Sequence, residues 1–86
     1  MTLQMNSIAL ISKGYKLVAE YQVWQRYETG DWMPPTTYTC YQKGNSCVVK
    51  IVSRRNCFTK CFDTKEKANA FIQTKLTNCE NYKKLK

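Results

Sequence analysis

Histidine is absent from this sequence. That removes the commonest general base, the Ser-His and Cys-His nucleophile pairs, and every zinc site that needs imidazole. Acids are scarce: six Asp+Glu stand against 14 Lys+Arg, for a net charge of +8 at pH 7. The chain has only three glycines and two prolines, and no Gly-rich phosphate loop, nucleophile elbow, repeat or low-complexity stretch. Long apolar runs are missing too. The run Ile8 to Ile11 is too short for a membrane span or a signal-peptide core, and no basic segment precedes it. A soluble, cytoplasmic protein without membrane association is expected.

What is present suits one small domain. The 86 residues, 43% of them hydrophobic, supply one modest core. A chain this short buries roughly 60% of the surface its unfolded form exposes, which argues against large clefts and multi-part active sites. Residues 1–6 read as a loose end and 79–86 as a basic tail.

Five cysteines (Cys40, Cys47, Cys57, Cys61 and Cys79) form an odd set without an export signal, which favours free thiols. Zinc is the sharper alternative. Cys40, Cys47, Cys57 and Cys61 are spaced C-x6-C and C-x3-C, unlike the paired C-x2-C knuckles whose tight turns aim two thiolates at one ion. Small apolar strand residues are the simpler reading, and no metal or other cofactor is expected. A Cys40–Cys47 disulfide is conceivable if a two-residue turn joins their strands, but it needs an oxidising setting.

Local patterns give the elements. Ser7 to Ile11 is a short apolar segment read as a strand, and Ser12-Lys13-Gly14 as a turn. Tyr15 to Tyr27 alternates with period two and is rich in Tyr, Val and Trp, which makes it the clearest strand. Gly30, Pro34 and Pro35 break it. Strands follow over Thr36–Gln42, Cys47–Ser53 and Cys57–Phe62, joined by turns at Lys43-Gly44-Asn45-Ser46 and Arg54-Arg55-Asn56. Connections this short dictate an antiparallel meander.

Asp63-Thr64-Lys65-Glu66 marks a helix start, with Asp63 or Thr64 as cap. With Asp63 in that role, Glu66 completes a capping box. Ala68, Phe71, Ile72, Leu76 and Cys79 line one helical face, and the helix ends near Asn78. Lys65 and Lys67 sit where the helix dipole disfavours cations. The expected fold is α+β: an antiparallel three- or four-stranded sheet packed against one C-terminal helix. Expected partners of that helix are Leu17, Tyr21, Val23, Val49, Ile51, Phe58 and Phe62. One sheet face is left without helical cover.

Catalysis has little material. Asp63 and Glu66 belong to the helix start, and Glu28 and Asp31 to a turn. Cys61 lies just before the helix but reads as a packed strand thiol. No enzyme is expected.

Charge is the strongest functional signal. Trp24, Arg26, Tyr38 and Lys50 are placed on one outer face with Gln22, and Arg54, Arg55 and Lys60 lie around the last turn. Cations beside flat aromatic and amide groups suit phosphate contacts and base stacking. Trp24, Arg26, Lys50, Arg54, Arg55 and Lys60 are therefore the candidate nucleic-acid contacts. Ordinary solvation of turn lysines is the plainer reading of the same charges.

The stretch Val48-Val49-Lys50-Ile51-Val52, then Arg54-Arg55-Asn56, then Phe58-Thr59-Lys60-Cys61-Phe62-Asp63-Thr64-Lys65-Glu66-Lys67-Ala68-Asn69-Ala70-Phe71 resembles the end of AP2-like domains, among them the DNA-binding N-terminal arms of phage-type integrases. In that family a last strand leads through a Phe-Asp-Thr-x-Glu-x-Ala run into a packed helix, and the outer sheet face enters the DNA major groove. The match covers about residues 47–76 and consists of a cap and a packing face, so it transfers no base-reading residue. It implies DNA rather than RNA, and a phage or other mobile element as the setting.

A second reading is a small protein-binding inhibitor or adaptor. Trp32, Met33 and Tyr38, with Trp24 and Tyr41, offer large aromatic and thioether anchors, and the positive surface fits an acidic protein partner. Alternatively, Trp32 and Met33 fold back over the open end of the core. Pairing of sheet edges into a homodimer also stays open.

Overall fold

The computed structural model describes residues 7–86. The expected loose end at residues 1–6 lies outside the described residues. The elements are α1 (Ser7–Ser12), β1 (Lys16–Trp24), β2 (Thr36–Lys43), β3 (Ser46–Val52), β4 (Cys57–Phe62), α2 (Lys65–Asn78) and β5 (Asn81–Lys84). The strands form one five-stranded sheet in the order β4-β3-β2-β1-β5, every pairing antiparallel. The α+β class and the C-terminal helix are as expected, and the strand number is higher.

The meander follows from its turns. Lys43 pairs with Ser46, leaving Gly44 and Asn45 as a two-residue connection. Gly44 takes φ +60° and Asn45 does not turn positive, the pattern of a II′ hairpin. Between β3 and β4, Ser53 N–H donates to the Asn56 carbonyl at 2.8 Å. In β1 a bulge falls between Leu17 and Ala19. The register shift puts Leu17 opposite Tyr41 and Ala19 opposite Cys40, which re-aims the start of the strand.

The sheet's two faces are fixed by alternation and register. On one face Val23, Tyr38, Cys40, Cys47, Val49 and Ile51 pack with Ala68, Ile72 and Leu76 of α2. Phe71 closes this core, its ring 5.4 Å from Phe62 and 6.2 Å from Tyr38. Burial lifts the Cys40 thiol to about 11, with Cys47 beside it adding to the shift. Burial raises Cys47 as well, reinforced by the charge of Glu66 and opposed by that of Lys65. Both are core thiols, and no disulfide joins any of the five cysteines. Cys40 pairs with Val49 and Cys47 with Gln42, so the two thiols are not directly opposed.

Several expectations are corrected. Ser7 to Ile11 lies in a helix, not a strand. Gly14 N–H bonds the Ile11 carbonyl and Tyr15 N–H the Leu10 carbonyl, a Schellman closure that Gly14 permits at φ +93°. That end seats Leu10, fully buried, on Tyr41 and Val48 beside Tyr15 and Leu17. Leu17 therefore packs under α1 and not under α2. Phe58 lies at the edge and is exposed.

The tail at 79–86 is not loose. Asn81–Lys84 pairs with β1 as a fifth strand, and Leu85 N–H reaches the Glu20 carbonyl at 2.7 Å. At the helix start Thr64 is the cap, its hydroxyl accepting from Lys67 N–H at 3.2 Å. Asp63 instead pairs with Lys67 at 3.0 Å, which offsets one of the cations at the positive end of the dipole. That hydrogen bond and charge hold the Asp63 carboxyl below its ordinary range.

Candidate nucleic-acid interface

The face away from α2 is half covered. At one end α1 sits on Tyr41 and Val48. The rest has no helix over it among the described residues, and its members are fixed by pairing. It is largely polar, but Thr39 at its middle is buried, Lys50 is half-buried, and the apolar Val52, between Thr37 and Cys57, is exposed. Lys50 lies between Thr39 and Thr59, and Gln22 between Thr37 and Lys83. Trp24 pairs with Asn81 at the margin. Glu20 is the acid on this surface, and its carboxylate accepts from the Thr39 hydroxyl at 2.9 Å. Lys50 and Lys83 thus stand among hydroxyl and amide groups, with Val52 and Cys57 on the same face.

This surface runs into one end of the sheet, where β1 and β3 finish and β4 and β5 begin. The connection from Gln25 to Pro35 folds there as a small closed loop. Tyr27 N–H donates to the Asp31 carbonyl at 2.8 Å, Gly30 N–H to that of Tyr27 at 2.9 Å, and Met33 N–H to that of Gln25 at 2.8 Å. Gly30 takes φ +94°, which a side chain disfavours. The Arg26 guanidinium lies 4.4 Å over the Trp32 ring, and its Nε is 3.2 Å from Glu80. Exposed contacts of either kind contribute about 1 kcal/mol at most, but together they fix where the Trp32 ring lies.

Two shallow clefts result, and Met33 borders both. One, of about 370 Å³, lies among Trp24, Trp32, Met33 and Asn81. The other, of about 240 Å³, is lined by residues including Tyr27, Met33, Pro34, Arg54 and Arg55. Trp32 is 47% exposed and Met33 36%. Neither folds back over the core. Among the described residues no ion pair engages Arg54 or Arg55, so their charge is available to a ligand.

The candidate residues separate on this framework. Trp24 and Lys50 share the uncovered face, and Arg54 and Arg55 lie at its end. Arg26 is close by but engaged with Trp32 and Glu80. Lys60 is on the other face: it pairs with Val49, and its ammonium lies 4.8 Å over Phe71. Tyr38 is corrected outright. It pairs with Tyr21 and Ile51 in the α2 core and is 8% exposed, so it is neither on the outer face nor an exposed anchor. Burial, and next the neighbouring Cys79, push its hydroxyl pKa up. Tyr41 is buried under Leu10.

The remaining cations are dispersed. Lys13, Lys16, Lys43, Lys65 and Lys67 surround the opposite end of the sheet. There Lys43 Nζ donates to the Lys13 carbonyl at 2.7 Å, and Lys67 is paired with Asp63. Sequence reasoning missed Lys83 and Asn81 as members of the surface, since only β5 pairing places them. Among the described residues no three His, Cys, Asp or Glu side chains converge as metal ligands, and no helix is long and apolar enough to cross a membrane. Comparison with protein-family models, with curated proteins and with solved structures finds no match.

Proposed function

We propose that this protein binds nucleic acid, DNA in preference to RNA, through the uncovered sheet face and the end that carries Trp24, Trp32, Arg54 and Arg55. The observation that supports this most is continuity. Lys50 and Lys83 stand on a largely polar face that has no helix over it among the described residues. At one end that face meets two arginines without an ion pair among those residues, the half-exposed Trp24 and the exposed Trp32. Cations of this kind contact phosphate, and amide, hydroxyl and aromatic groups contact bases. The resemblance to integrase arms favours DNA.

The sheet's width shapes the mode. Strands lie about 4.8 Å apart, so five span roughly 19 Å, wider than the major groove of roughly 12 Å. Contact therefore centres on the tryptophan end, with Lys50 and Lys83 following the backbone. Lys60 is exposed but projects on the α2 side, its ammonium over Phe71, so it stands apart from this surface.

The test is a gel-shift and anisotropy series with single-stranded DNA, duplex DNA and RNA at two salt concentrations. Affinity is expected to fall log-linearly with salt. Arg54→Ala with Arg55→Ala is expected to lower the slope by about 1.4–1.8, two contacts' worth. No detectable binding at low salt would sink the reading. A second reading, capture of an acidic protein, is favoured by the exposure of Trp32 and Met33. It requires one stoichiometric protein partner whose binding Trp32→Ala abolishes without unfolding the domain.

A further inference from the structure

We infer that the cleft between Trp24 and Trp32 receives one unpaired nucleobase, which makes the preferred ligand single-stranded. This rests on the nucleic-acid reading and narrows it. The cleft, about 370 Å³, is at the small end of the roughly 300–1,000 Å³ typical of ligand sites. It is bordered by two indoles, a thioether and the Asn81 amide. Indole and thioether offer apolar, polarizable area to a flat ring. The amide has donors and an acceptor for a base edge.

The cleft is built before any ligand arrives. Trp24 is fixed by β1 and by its pairing with Asn81 of β5. Trp32 is held by the backbone bridge to Arg26 and by the guanidinium over its ring. Arg26 is itself held by Glu80, the residue before β5. The site thus joins three separate stretches of chain, and less ordering remains to be done on binding.

Charge complementarity selects the occupant. Lys83 lies on the same sheet face, two residues beyond Asn81, and Arg54 and Arg55 flank the neighbouring cleft across Met33. A base seated between the indoles therefore has cations on both sides along the sheet end, where the phosphates before and after it would run. A paired base inside a duplex presents no free ring face to such a slot. Stacking on aromatic side chains is also tolerant of sequence, so little base preference is expected.

The test uses intrinsic fluorescence, since Trp24 and Trp32 are the chain's two tryptophans. The probes are an oligothymidylate, an abasic strand of equal length, a blunt duplex and a poly-glutamate of equal charge. The oligothymidylate is expected to quench the emission and to bind about 5- to 150-fold more tightly than the abasic strand. Trp32→Ala removes that margin, Trp32→Phe keeps part of it, and Lys83→Ala lowers the salt slope by about 0.7 while the quench persists. Met33→Ala, at an exposed loop position, provides a second reduction of the margin should Trp32→Ala perturb folding.

Equal, salt-dependent binding of abasic, duplex and thymidylate probes without quenching overturns the base site and leaves the nucleic-acid reading intact. Absence of binding to all three overturns both. Poly-glutamate that quenches as strongly as thymidylate also overturns the base site, and points to an acidic protein.

Discussion

The two faces of the sheet come from the same strands and have opposite characters. Toward α2 stand Val23, Tyr38, Cys40, Val49 and Ile51; away from it stand Gln22, Thr37, Thr39, Lys50, Thr59 and Lys83. Neighbours such as Val49 and Lys50 differ by one residue in sequence and by the whole thickness of the sheet in environment. The lesson is that cations in this protein cannot be weighed by number. Lys60 and Lys50 are both strand lysines, yet the exposed Lys60 lies over an aromatic ring on the α2 side and the half-buried Lys50 stands on the opposite face.

The sharpest way to break the contrast is to excavate one face. Ile72→Ala under α2 is expected to cost about 2–5 kcal/mol by chemical denaturation, enough to threaten a domain of this size. Loss of the helix cap is smaller. Thr64→Ala is expected to cost about 1 kcal/mol, read by the same experiment, and Thr64→Ser to cost less.

The covered face also has an alkaline signature. Cys40 stays neutral in the fold up to about 11, against an ordinary value of 9.0. A group raised on folding gives stability that is complete below its unfolded value and is lost as pH rises toward and through the folded one. Stability is therefore expected to decline between pH 9 and 11, and Cys40→Ala to flatten the decline in pH-resolved denaturation. Cys47 and Tyr38 shift the same way, so part of the slope persists. The smallest expected effect belongs to the other face: Lys50→Ala should change stability by less than about 0.5 kcal/mol while weakening nucleic-acid binding.

Sequence periodicity was enough for α2, the two hairpins and the placement of Trp24 and Lys50, because each rests on local chemistry. Gly44 opens a turn, Thr64 caps a helix, and Ala68, Ile72 and Leu76 recur on one side. It failed where tertiary contacts decide. Ser7 to Ile11 is short and apolar, which fits strand or helix equally, and the seat for Leu10 on Tyr41 and Val48 settled it. β5 is exposed along its length and charged, with no apolar alternation; backbone bonds to β1 hold it. Tyr38 was misplaced because β2 carries large side chains on both sides, and only register separates them. With β5 unread, Asn81 and Lys83 were unread as well, and the cleft between the tryptophans had only one legible wall on the sheet.

The proposed interface puts polyanion binding on one side of the molecule. The direct measurement compares two triple variants in salt titrations against single-stranded DNA. One neutralises Lys50, Arg54 and Arg55; the other neutralises Lys60, Lys75 and Lys84, which lie over aromatic rings of the covered face. The first is expected to lower the slope of log K against log salt by about 2, near 0.7 for each phosphate contact on a single strand, and the second to leave it nearly unchanged. Equal losses from both would mean that charge acts without regard to side, and would contradict the proposed interface.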